Sequence, residues 1–448
     1  MAEPHILILG AGFSGFTLAR ELRRDAAAHR LRLTVVEPEP YLTYKPLLPE
    51  VAGGETQARD TAVPLRRLLK HADLVAGSLE TVDTAAKTAV VRTVDGTERA
   101  LHYDHVVFAL GAVTKVLPIP GLAENAIGFS SIEEAAALRD HVLERIRFAS
   151  STTDAAERRR ALTFVFVGGG YTGVEAIAEL QRLAARELDR YRELDGERMT
   201  WLLVEVAGRI AAELPEQLSG WTLRLLRRRG IQVLLHTEVT SCEQGQVSLS
   251  TGDTYPADTI VWVAGVTPNP VLDRADVPRG PKGHVQCDAT LRAVHDDGRP
   301  VDGAWALGDD AQVPDLTAEK QPAYYPPNAQ NAIREGRVLA ENLRRALEAR
   351  EPVEYRHRTL GTLASYGGMQ GAAVVKGVPL RGVAAWAVDK VYHAIALPSA
   401  ARRFRLLLGW VGNGLTPRDA VPVTSVGDAR QRFRDAAAAQ GAKGEEGA

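Results

Sequence analysis

Two similar glycine-rich turns in separate parts of the chain constrain its fold more than any other feature. The first is Gly10-Ala11-Gly12-Phe13-Ser14-Gly15, which follows the apolar run Ile6-Leu7-Ile8-Leu9. The second is Gly168-Gly169-Gly170-Tyr171-Thr172-Gly173, which follows Phe164-Val165-Phe166-Val167. In such turns, glycines allow a tight strand-to-helix connection, close approach to a pyrophosphate and close helix–strand packing. One turn is a weak signal, whereas two predict binding of two dinucleotides, for which the usual reason is electron transfer between them.

The composition predicts a soluble protein with more than one domain. A chain of 448 residues is too long for one ordinary core. Its net charge of −2 gives no indication of nucleic-acid binding. The two cysteines, Cys242 and Cys287, form no CxxC pair, so we expect neither a disulfide framework nor a metal site. No long apolar run predicts a transmembrane helix, and Met1 lies close to the first predicted strand, which predicts no secretory signal.

The order of predicted elements indicates an α/β protein with two Rossmann-like dinucleotide-binding domains. The pattern predicts helices at 13–24, 61–71, 132–149, 172–190 and 328–348. It predicts buried strands at 5–9, 31–37, 106–111, 162–167, 200–206, 231–236, 259–264 and 304–309. The last of these strands resembles a return to the first domain, which would make that domain discontinuous.

Three carboxylates stand where a nucleotide-binding sheet would hold ribose or ribityl hydroxyls. Glu37 ends the second strand, about 22 residues after Gly15, and can accept hydrogen bonds from an adenosine ribose. Glu205 occupies the matching position after the second turn and would repel a 2′-phosphate. This favours NADH over NADPH, although Arg209 is close enough to leave NADPH open. Asp309 follows a buried strand, where its carboxylate could hydrogen-bond the ribityl hydroxyls of a flavin.

Four further segments carry a resemblance to a known family: Tyr44–Ala52, Gly173–Glu175, Trp262–Val266 and Pro326–Gly336. With both turns, they make the chain similar, up to about residue 425, to the type II NADH dehydrogenases. These are single-subunit NADH:quinone oxidoreductases that do not pump protons. The resemblance implies that the first turn holds FAD and the second receives NADH. It also implies that the segment beginning at Ala329 borders a quinone site beside the flavin.

The resemblance also implies roles for single residues, of which Glu175, Gln330 and Lys45 are the expected catalytic ones. Glu175 is similar to the family's glutamate near the nicotinamide–flavin contact. Lys45 and Pro46 lie in a loop similar to the one along the flavin ring, where a lysine can stabilise negative charge on the reduced ring. Arg334 stands where the family has Gln. An arginine can still donate a hydrogen bond to a quinone carbonyl, but its fixed charge leaves quinone preference and quinone use open.

The predicted binding residues form three sets, and no metal is expected. For FAD they are Gly10, Gly12, Gly15, Glu37, Lys45, Pro46, Ala109, Gly111, Asp309, Ala329 and Gln330. For NADH they are Gly168, Gly170, Tyr171, Thr172, Gly173, Glu175, Glu205 and Gly265. For the quinone they are Gln330, Arg334 and Gly336.

The predicted domain boundaries follow from the same pattern. An FAD-binding domain is expected from residues 1–118 and 285–348, and an NADH-binding domain from 119–284. A membrane-associating region is expected over 349–432. The tail over 433–448, rich in Ala, Gly and Glu, is expected to be disordered.

Residues 383–411 carry two apolar helical stripes that indicate a peripheral membrane protein. The first stripe has a charged set on another face and consists of Val388, Val391, Tyr392 and Ile395, against Asp389, Lys390 and His393. The second is flanked by arginines and consists of Phe404, Leu407, Leu408 and Val411, with Arg402, Arg403 and Arg405. A basic amphipathic helix with aromatic residues is typical of an interfacial anchor, here on the cytoplasmic side. Alternatively, the stripes pack on the protein's own core or on a second copy in a homodimer.

Three other functions remain open. A sulfide:quinone oxidoreductase has a similar scaffold but needs a cysteine pair at the flavin, and Cys242 and Cys287 lie outside the segments expected there. A soluble NADH-dependent reductase of a ferredoxin-like protein would account for Arg334 but leaves the C-terminal stripes without a purpose. The third is a flavin-binding redox sensor that oligomerises through its C-terminus. The lack of a CxxC pair argues against a disulfide reductase.

Overall fold

The computed structural model describes residues 3–359, 361–416 and 421–422. The tail predicted at 433–448 lies outside the described residues. The helices are α1 (Phe13–Ala27), α2 (Leu48–Ala52), α3 (Leu65–Leu68), α4 (Leu122–Asn125), α5 (Ile132–Ser151), α6 (Ala155–Ala161), α7 (Tyr171–Leu188), α8 (Glu216–Arg228), α9 (Ala329–Leu347), α10 (Val383–Ala396) and α11 (Ala400–Leu415).

The first sheet is assembled from two distant parts of the chain. Its strand order is Arg292–Val294, Pro300–Ala306, His105–Phe108, His5–Leu9, Arg32–Val36 and Asp73–Val75. Strand Pro300–Ala306 pairs in parallel with His105–Phe108, which in turn pairs in parallel with His5–Leu9. The late segment therefore completes the sheet that the first glycine turn begins.

The second sheet is parallel and places the second glycine turn at its centre. Its strand order is Ala126–Ile127, Thr259–Trp262, Thr163–Val167, Thr200–Val204 and Ile231–Leu234. Every residue of Thr163–Val167 is buried, as expected of a strand covered on both faces. The ring of Phe164 stacks on that of Trp201, with centroids 4.4 Å apart.

Smaller sheets and strand pairs connect and cover these two. The three-stranded antiparallel sheets are Gly77–Asp83 with Thr88–Thr93 and Glu98–His102, Val239–Ser241 with Gln246–Leu249 and Thr254–Pro256, and Gly361–Ser365 with Gly371–Val375 and Val378–Arg381. The strand pairs are Tyr41–Thr43 with Ala62–Pro64, Ala112–Thr114 with Val266–Pro268, and Val285–Gln286 with Ala311–Gln312.

The helix predicted over 61–71 is largely wrong. The segment forms a strand, Ala62–Pro64, followed by the single helical turn of α3. Val63 lies buried in this strand, which pairs with Tyr41–Thr43, and Leu65 is buried at the start of α3. Pairing with a distant strand thus overrides the local helical pattern.

Helices α10 and α11 turn their apolar stripes outward. Ile395 is 66 % exposed and Phe404 is 64 % exposed, whereas Asp389, Lys390 and His393 are buried. The charged face of α10 therefore packs against the protein, and the apolar face is the outer one. Among the described residues, no helix has both the length and the apolar character needed to cross a bilayer.

Candidate active site

The first glycine turn has room for a pyrophosphate. Gly10 has a φ of +102°, and a Cβ there would lie 2.3 Å from the Ala109 carbonyl oxygen, so a side chain does not fit. The position of a Cβ on Gly12 is open, which leaves a cradle at the N-terminus of α1. The Glu37 carboxylate accepts a hydrogen bond from the Ala11 amide at 2.7 Å. These residues fit the dinucleotide that the sequence predicts for this turn.

A cavity of about 430 Å³ lies beside the end of strand Pro300–Ala306. Asp309 and His284 line this cavity, together with Ala332 of α9. Burial raises the pKa of Asp309, while the positive charges of Lys45 and His284 oppose that shift. The exposed Lys45 therefore acts on Asp309, as expected if the loop and the strand end border one site.

Two buried acids that sequence analysis missed hold the backbone around Asp309. Asp310 accepts a hydrogen bond from the Leu110 amide at 2.8 Å, and burial raises its pKa to about 8. Glu335 accepts a hydrogen bond from the Gly308 amide at 2.7 Å, and burial raises its pKa to about 7. The adjacent pair Asp309-Asp310 in the sequence could have drawn attention to Asp310, whereas nothing in the helical pattern of α9 distinguished Glu335.

The second glycine turn repeats the geometry of the first. Gly168 has a φ of +116°, and a Cβ there would lie 2.7 Å from a carbonyl oxygen of the neighbouring strand. Gly170 has no close neighbour at its Cβ position. The Glu205 carboxylate accepts hydrogen bonds from the Gly169 amide and, at 2.7 Å, from the Ala207 amide. Its place at the strand end next to the turn is the one at which an acid can reach a ribose.

Glu175 is the fifth residue of α7, just beyond the first turn, and packs against the C-terminal sheet. Its carboxylate accepts a hydrogen bond from the Ser365 amide at 2.8 Å. Burial, and then the negative charge of Asp389, raise the pKa of Glu175 well above its usual value. The sequence predicted a first-turn position, where the helix dipole would favour ionisation; beyond that turn the dipole effect is weaker, and desolvation outweighs it. The carboxyl therefore stays protonated at pH values that ionise an ordinary glutamate.

A second cavity, of about 260 Å³, lies between α1, α9 and α10. Phe13, Gln330, Arg334 and Tyr392 are among the residues that line it. The Gln330 side chain is 2.9 Å from the His357 ring nitrogen, and Arg334 donates to the Gln330 carbonyl oxygen at 3.0 Å. Two of the three residues that the sequence assigned to the quinone thus line one cavity, which also contains the charged side chains Arg20, Glu21 and Arg337.

Gly336 is not among the residues that line this second cavity. It lies where α9 packs on α1, and a Cβ there would be 2.8 Å from the Ser14 carbonyl oxygen. A larger residue would separate the two helices. The close packing of α1 and α9 therefore requires glycine at this position, and its predicted role toward the quinone stays a prediction.

The other predicted residues lie at strand ends and helix starts around the two turns. On the flavin side they are Gly15, Pro46, Ala109, Gly111 and Ala329, and on the nicotinamide side Tyr171, Thr172, Gly173 and Gly265. Gly111 and Gly265 both have positive φ and open space at the Cβ position. The paired strands Ala112–Thr114 and Val266–Pro268 directly follow them. This pair therefore joins the ends of the two parallel sheets at one place.

A buried polar network that sequence analysis missed joins α10 to the rest of the site. The Tyr44 hydroxyl is 3.0 Å from His393 Nδ1, and His393 Nε2 is 3.3 Å from the Asp389 carboxylate. Lys390 forms an ion pair with Glu50 at 2.6 Å. The spacing of these residues showed that they share a face of α10, but not that this face points inward.

Comparison with known proteins places the chain in a family. The model of the family described as pyridine nucleotide-disulphide oxidoreductase matches residues 4–336. The chain belongs to this family.

Several members with names and structures are similar over nearly the whole chain. A probable NADH dehydrogenase of Dictyostelium discoideum is 25 % identical, over 92 % of this chain and 90 % of its own. A type II NADH:quinone oxidoreductase of Mycobacterium tuberculosis is 26 % identical, over 90 % of this chain and 86 % of its own. The NDH2 of Plasmodium falciparum, solved in complex with NADH, superposes with a TM-score of 0.85 at 19 % identity, over 94 % of this chain and all of its own.

A more distant fold relative is a sulfide:quinone oxidoreductase of Aquifex aeolicus. It has a TM-score of 0.68 at 17 % identity, over 92 % of this chain and 93 % of its own. In the present member of the pyridine nucleotide-disulphide oxidoreductase family, however, Cys242 and Cys287 are buried in different cores. Burial raises the pKa of the Cys242 thiol to about 11 and that of Cys287 well above its usual value. These thiols form no reactive pair, which gives the sulfide:quinone alternative no support.

Proposed function

We propose that the protein is a type II NADH:quinone oxidoreductase. It binds FAD, oxidises NADH and reduces a membrane quinone by two electrons without pumping protons. The observation that carries this proposal is the joint at Gly111 and Gly265, where the ends of two nucleotide-binding sheets meet. The named relatives, which are similar over nearly the whole chain, support the same activity.

Four residues from distant segments would hold FAD. The cradle at Gly12 fits the pyrophosphate, Glu37 reaches the adenosine ribose, and Asp309 borders the cavity where the ribityl chain would lie. Lys45 supplies a positive charge beside Asp309. When bound, FAD would accept a hydride from NADH and supply two electrons to the quinone.

The second turn would bind NADH in a matching way. The open position at Gly170 fits the pyrophosphate at the N-terminus of α7. Glu205 would accept hydrogen bonds from the adenosine ribose and repel a 2′-phosphate. Glu175, with its raised pKa, would remain protonated and could hold a proton near the nicotinamide.

The cavity between α1, α9 and α10 is proposed as the quinone site. Gln330 and Arg334 are among its polar groups, with Arg20, Glu21 and Arg337, and Phe13 and Tyr392 are among its aromatic ones. Arg334 donates one hydrogen bond to the main-chain carbonyl oxygen of Gln330. Its other guanidinium donors are left for a quinone carbonyl. The arginine is thus compatible with quinone use.

The outward stripes of α10 and α11 support attachment to a membrane as a peripheral protein. Ile395 of α10 and Leu408 of α11 expose large apolar side chains, while Tyr392 of α10 borders the proposed quinone cavity. Lipid on this outer face would bring the acceptor to the mouth of the cavity. Location on the cytoplasmic side and a homodimer stay predictions.

Anaerobic reduction tests the proposed activity. We expect the purified yellow protein to lose its flavin absorbance when NADH is added and to regain it when a short-chain quinone follows. The same sample, mixed with a ferredoxin, serves as the control for the soluble-reductase alternative.

Two outcomes would contradict the proposal. A protein that neither contains nor takes up FAD would rule out any flavin reaction. A reduced flavin that a ferredoxin oxidises and quinone does not would favour the soluble reductase.

A further inference from the structure

A groove of about 360 Å³ on the outside of the molecule is lined by basic side chains. They come from α1 and from α3 and the residues after it, and are Arg20, Arg23, Arg24, Arg67, Lys70 and His71. The floor between them is apolar and includes Leu68 and Pro398. The whole chain has a net charge of only −2, so this density of positive charge is local. We call this feature the basic groove.

Neighbouring acids do not neutralise the basic groove. Within the described residues, none of its arginines and lysines forms an ion pair. Asp25, the buried acid of α1, is bound instead by Arg30 at 2.6 Å and by Arg344 of α9 at 3.0 Å. Burial lowers the pKa of Arg20, and the positive charge of Arg23 lowers it further, while Glu21 opposes this shift. The groove therefore concentrates positive charge that a bound anion would offset.

The basic groove borders the apolar outer face of the C-terminal helices. Pro398, in its floor, belongs to the short turn between α10 and α11. Pro398 and Arg20 also line the proposed quinone cavity, together with Tyr392. On the same two helices, Ile395 and Phe404 are exposed. Positive charge and exposed apolar surface are thus continuous, which matches a molecule with an anionic head and an apolar chain.

We propose that the basic groove binds the phosphate headgroup of an anionic glycerophospholipid, whose acyl chains lie on the outer face of α10 and α11. Guanidinium groups bind phosphate oxygens through paired hydrogen bonds. A soluble anion would use the charges but not the adjacent apolar surface, which is why the lipid is the occupant. The inference deepens the proposed function, since it rests on the proposed membrane attachment.

The test compares vesicles of phosphatidylcholine alone with vesicles that also contain phosphatidylglycerol. The variant Arg24→Gln/Arg67→Gln/Lys70→Gln removes three charges of the groove and leaves the quinone cavity intact. We expect it to bind the phosphatidylglycerol vesicles on the order of 100-fold more weakly, at about fivefold for each cation near the surface. Its binding to pure phosphatidylcholine should not change. Added salt should reduce the difference.

The matched control removes three exposed charges from the nicotinamide-binding half: Arg192→Gln/Arg198→Gln/Arg224→Gln. We expect this variant to bind both kinds of vesicle like the unchanged protein. Equal losses in the two triple variants, or no loss in the groove variant, would overturn the proposal. The proposal would also be overturned if inorganic phosphate binds the groove while phosphatidylglycerol does not strengthen vesicle binding.

A separate assay distinguishes failure of this inference from failure of the proposed function. NADH oxidation by a short-chain quinone in detergent should be equal in the groove variant and the unchanged protein. If the protein oxidises NADH with quinone but shows no preference for phosphatidylglycerol vesicles, the lipid site in the basic groove is overturned and the proposed enzyme activity stands. If the protein shows no NADH oxidation with quinone but still prefers phosphatidylglycerol vesicles, the proposed enzyme activity is overturned and the lipid site in the basic groove stands.

Discussion

Glu205 is the residue whose position bears most directly on coenzyme choice. Its carboxylate lies against the second glycine turn, held by the amides of Gly169 and Ala207. A negative charge there repels a 2′-phosphate, so we expect Glu205→Gln to raise kcat/KM for NADPH relative to NADH. A change of about tenfold corresponds to about 1.4 kcal/mol. Steady-state kinetics with both coenzymes measures it, with Glu216→Gln, at an exposed helix start, as the control. An unchanged ratio would contradict the assignment.

Glu335 should make stability depend on pH. Its folded pKa, about 7, lies above the usual 4.5, so its contribution is fully present below that usual value and is lost as pH rises through about 7. The shift corresponds to on the order of 3 kcal/mol. We expect the free energy of unfolding to fall as the pH rises from about 4.5 to about 7, and to fall less in Glu335→Gln, which can still accept the hydrogen bond from Gly308.

Urea unfolding across this pH range measures the effect of Glu335. Glu319→Gln, at an exposed position, should follow the unchanged protein. The Glu335 variant should keep part of the pH dependence, since Asp310, with a folded pKa of about 8, loses its contribution in the same direction. Parallel pH curves for the unchanged protein and Glu335→Gln would show that this carboxyl does not titrate as its burial requires.

Among single residues, the sequence predicted those that the backbone conformation requires and missed those whose role arises from tertiary packing. Gly10 and Gly168 were predicted because only glycine fits their positive φ and close carbonyl neighbours. Glu335 and His393 look like ordinary polar residues of helices. Their importance comes from burial, which depends on elements distant in the sequence.

Among the elements, α10 depends most on a buried ion pair. The Lys390 ammonium lies 2.6 Å from Glu50 and 4.6 Å from the centre of the Trp410 ring. We expect Lys390→Met to lower the free energy of unfolding by about 3–5 kcal/mol, because Glu50, and Glu55 at 3.4 Å, would lose the cation that they share. Chemical denaturation measures this loss.

A second variant separates the ion pair from the space that the lysine fills. Lys390→Met/Glu50→Gln should recover part of the stability, since the more deeply buried acid charge is then removed, while Glu55, 3.4 Å from the lysine, keeps its charge. The control is Lys115→Met, at an exposed lysine, which should change stability little. A double variant no more stable than Lys390→Met would mean that packing of the lysine chain, and not its charge, holds α10.

The elements were predictable to the extent that their patterns were local. Helix α7 and strand Thr163–Val167 follow directly from a turn and an apolar run, and their predicted bounds are close. The segment 61–71 was mispredicted because its strand pairs with a distant one. For α10 the two faces were predicted, but their orientation depends on buried partners such as Glu50, which no local pattern reveals.

At the scale of the whole molecule, the inward charges and outward apolar groups of α10 have one consequence for function. The same helix is held to the protein through Lys390, lines the proposed quinone cavity through Tyr392 and exposes Ile395. Attachment to lipid and access of the acceptor are therefore coupled by geometry. Removal of residues 383–411 would also remove the buried ion pair and so would not test lipid binding alone.

Substitutions on the outer face test membrane attachment without disturbing the core. Ile395 and Leu408 are 66 % and 55 % exposed, so Ile395→Asn/Leu408→Asn should fold normally. Burial of a large apolar side chain contributes about 1.5–3 kcal/mol, so partial burial of two such groups predicts a loss of vesicle binding on the order of 100-fold. Vesicle sedimentation measures it for neutral and anionic lipid alike. The control Val94→Asn/Val206→Asn changes exposed valines elsewhere and should bind normally. Unchanged binding in the Ile395/Leu408 variant, together with loss of a dimer in sedimentation equilibrium, would place a second copy of the chain on this face in place of lipid.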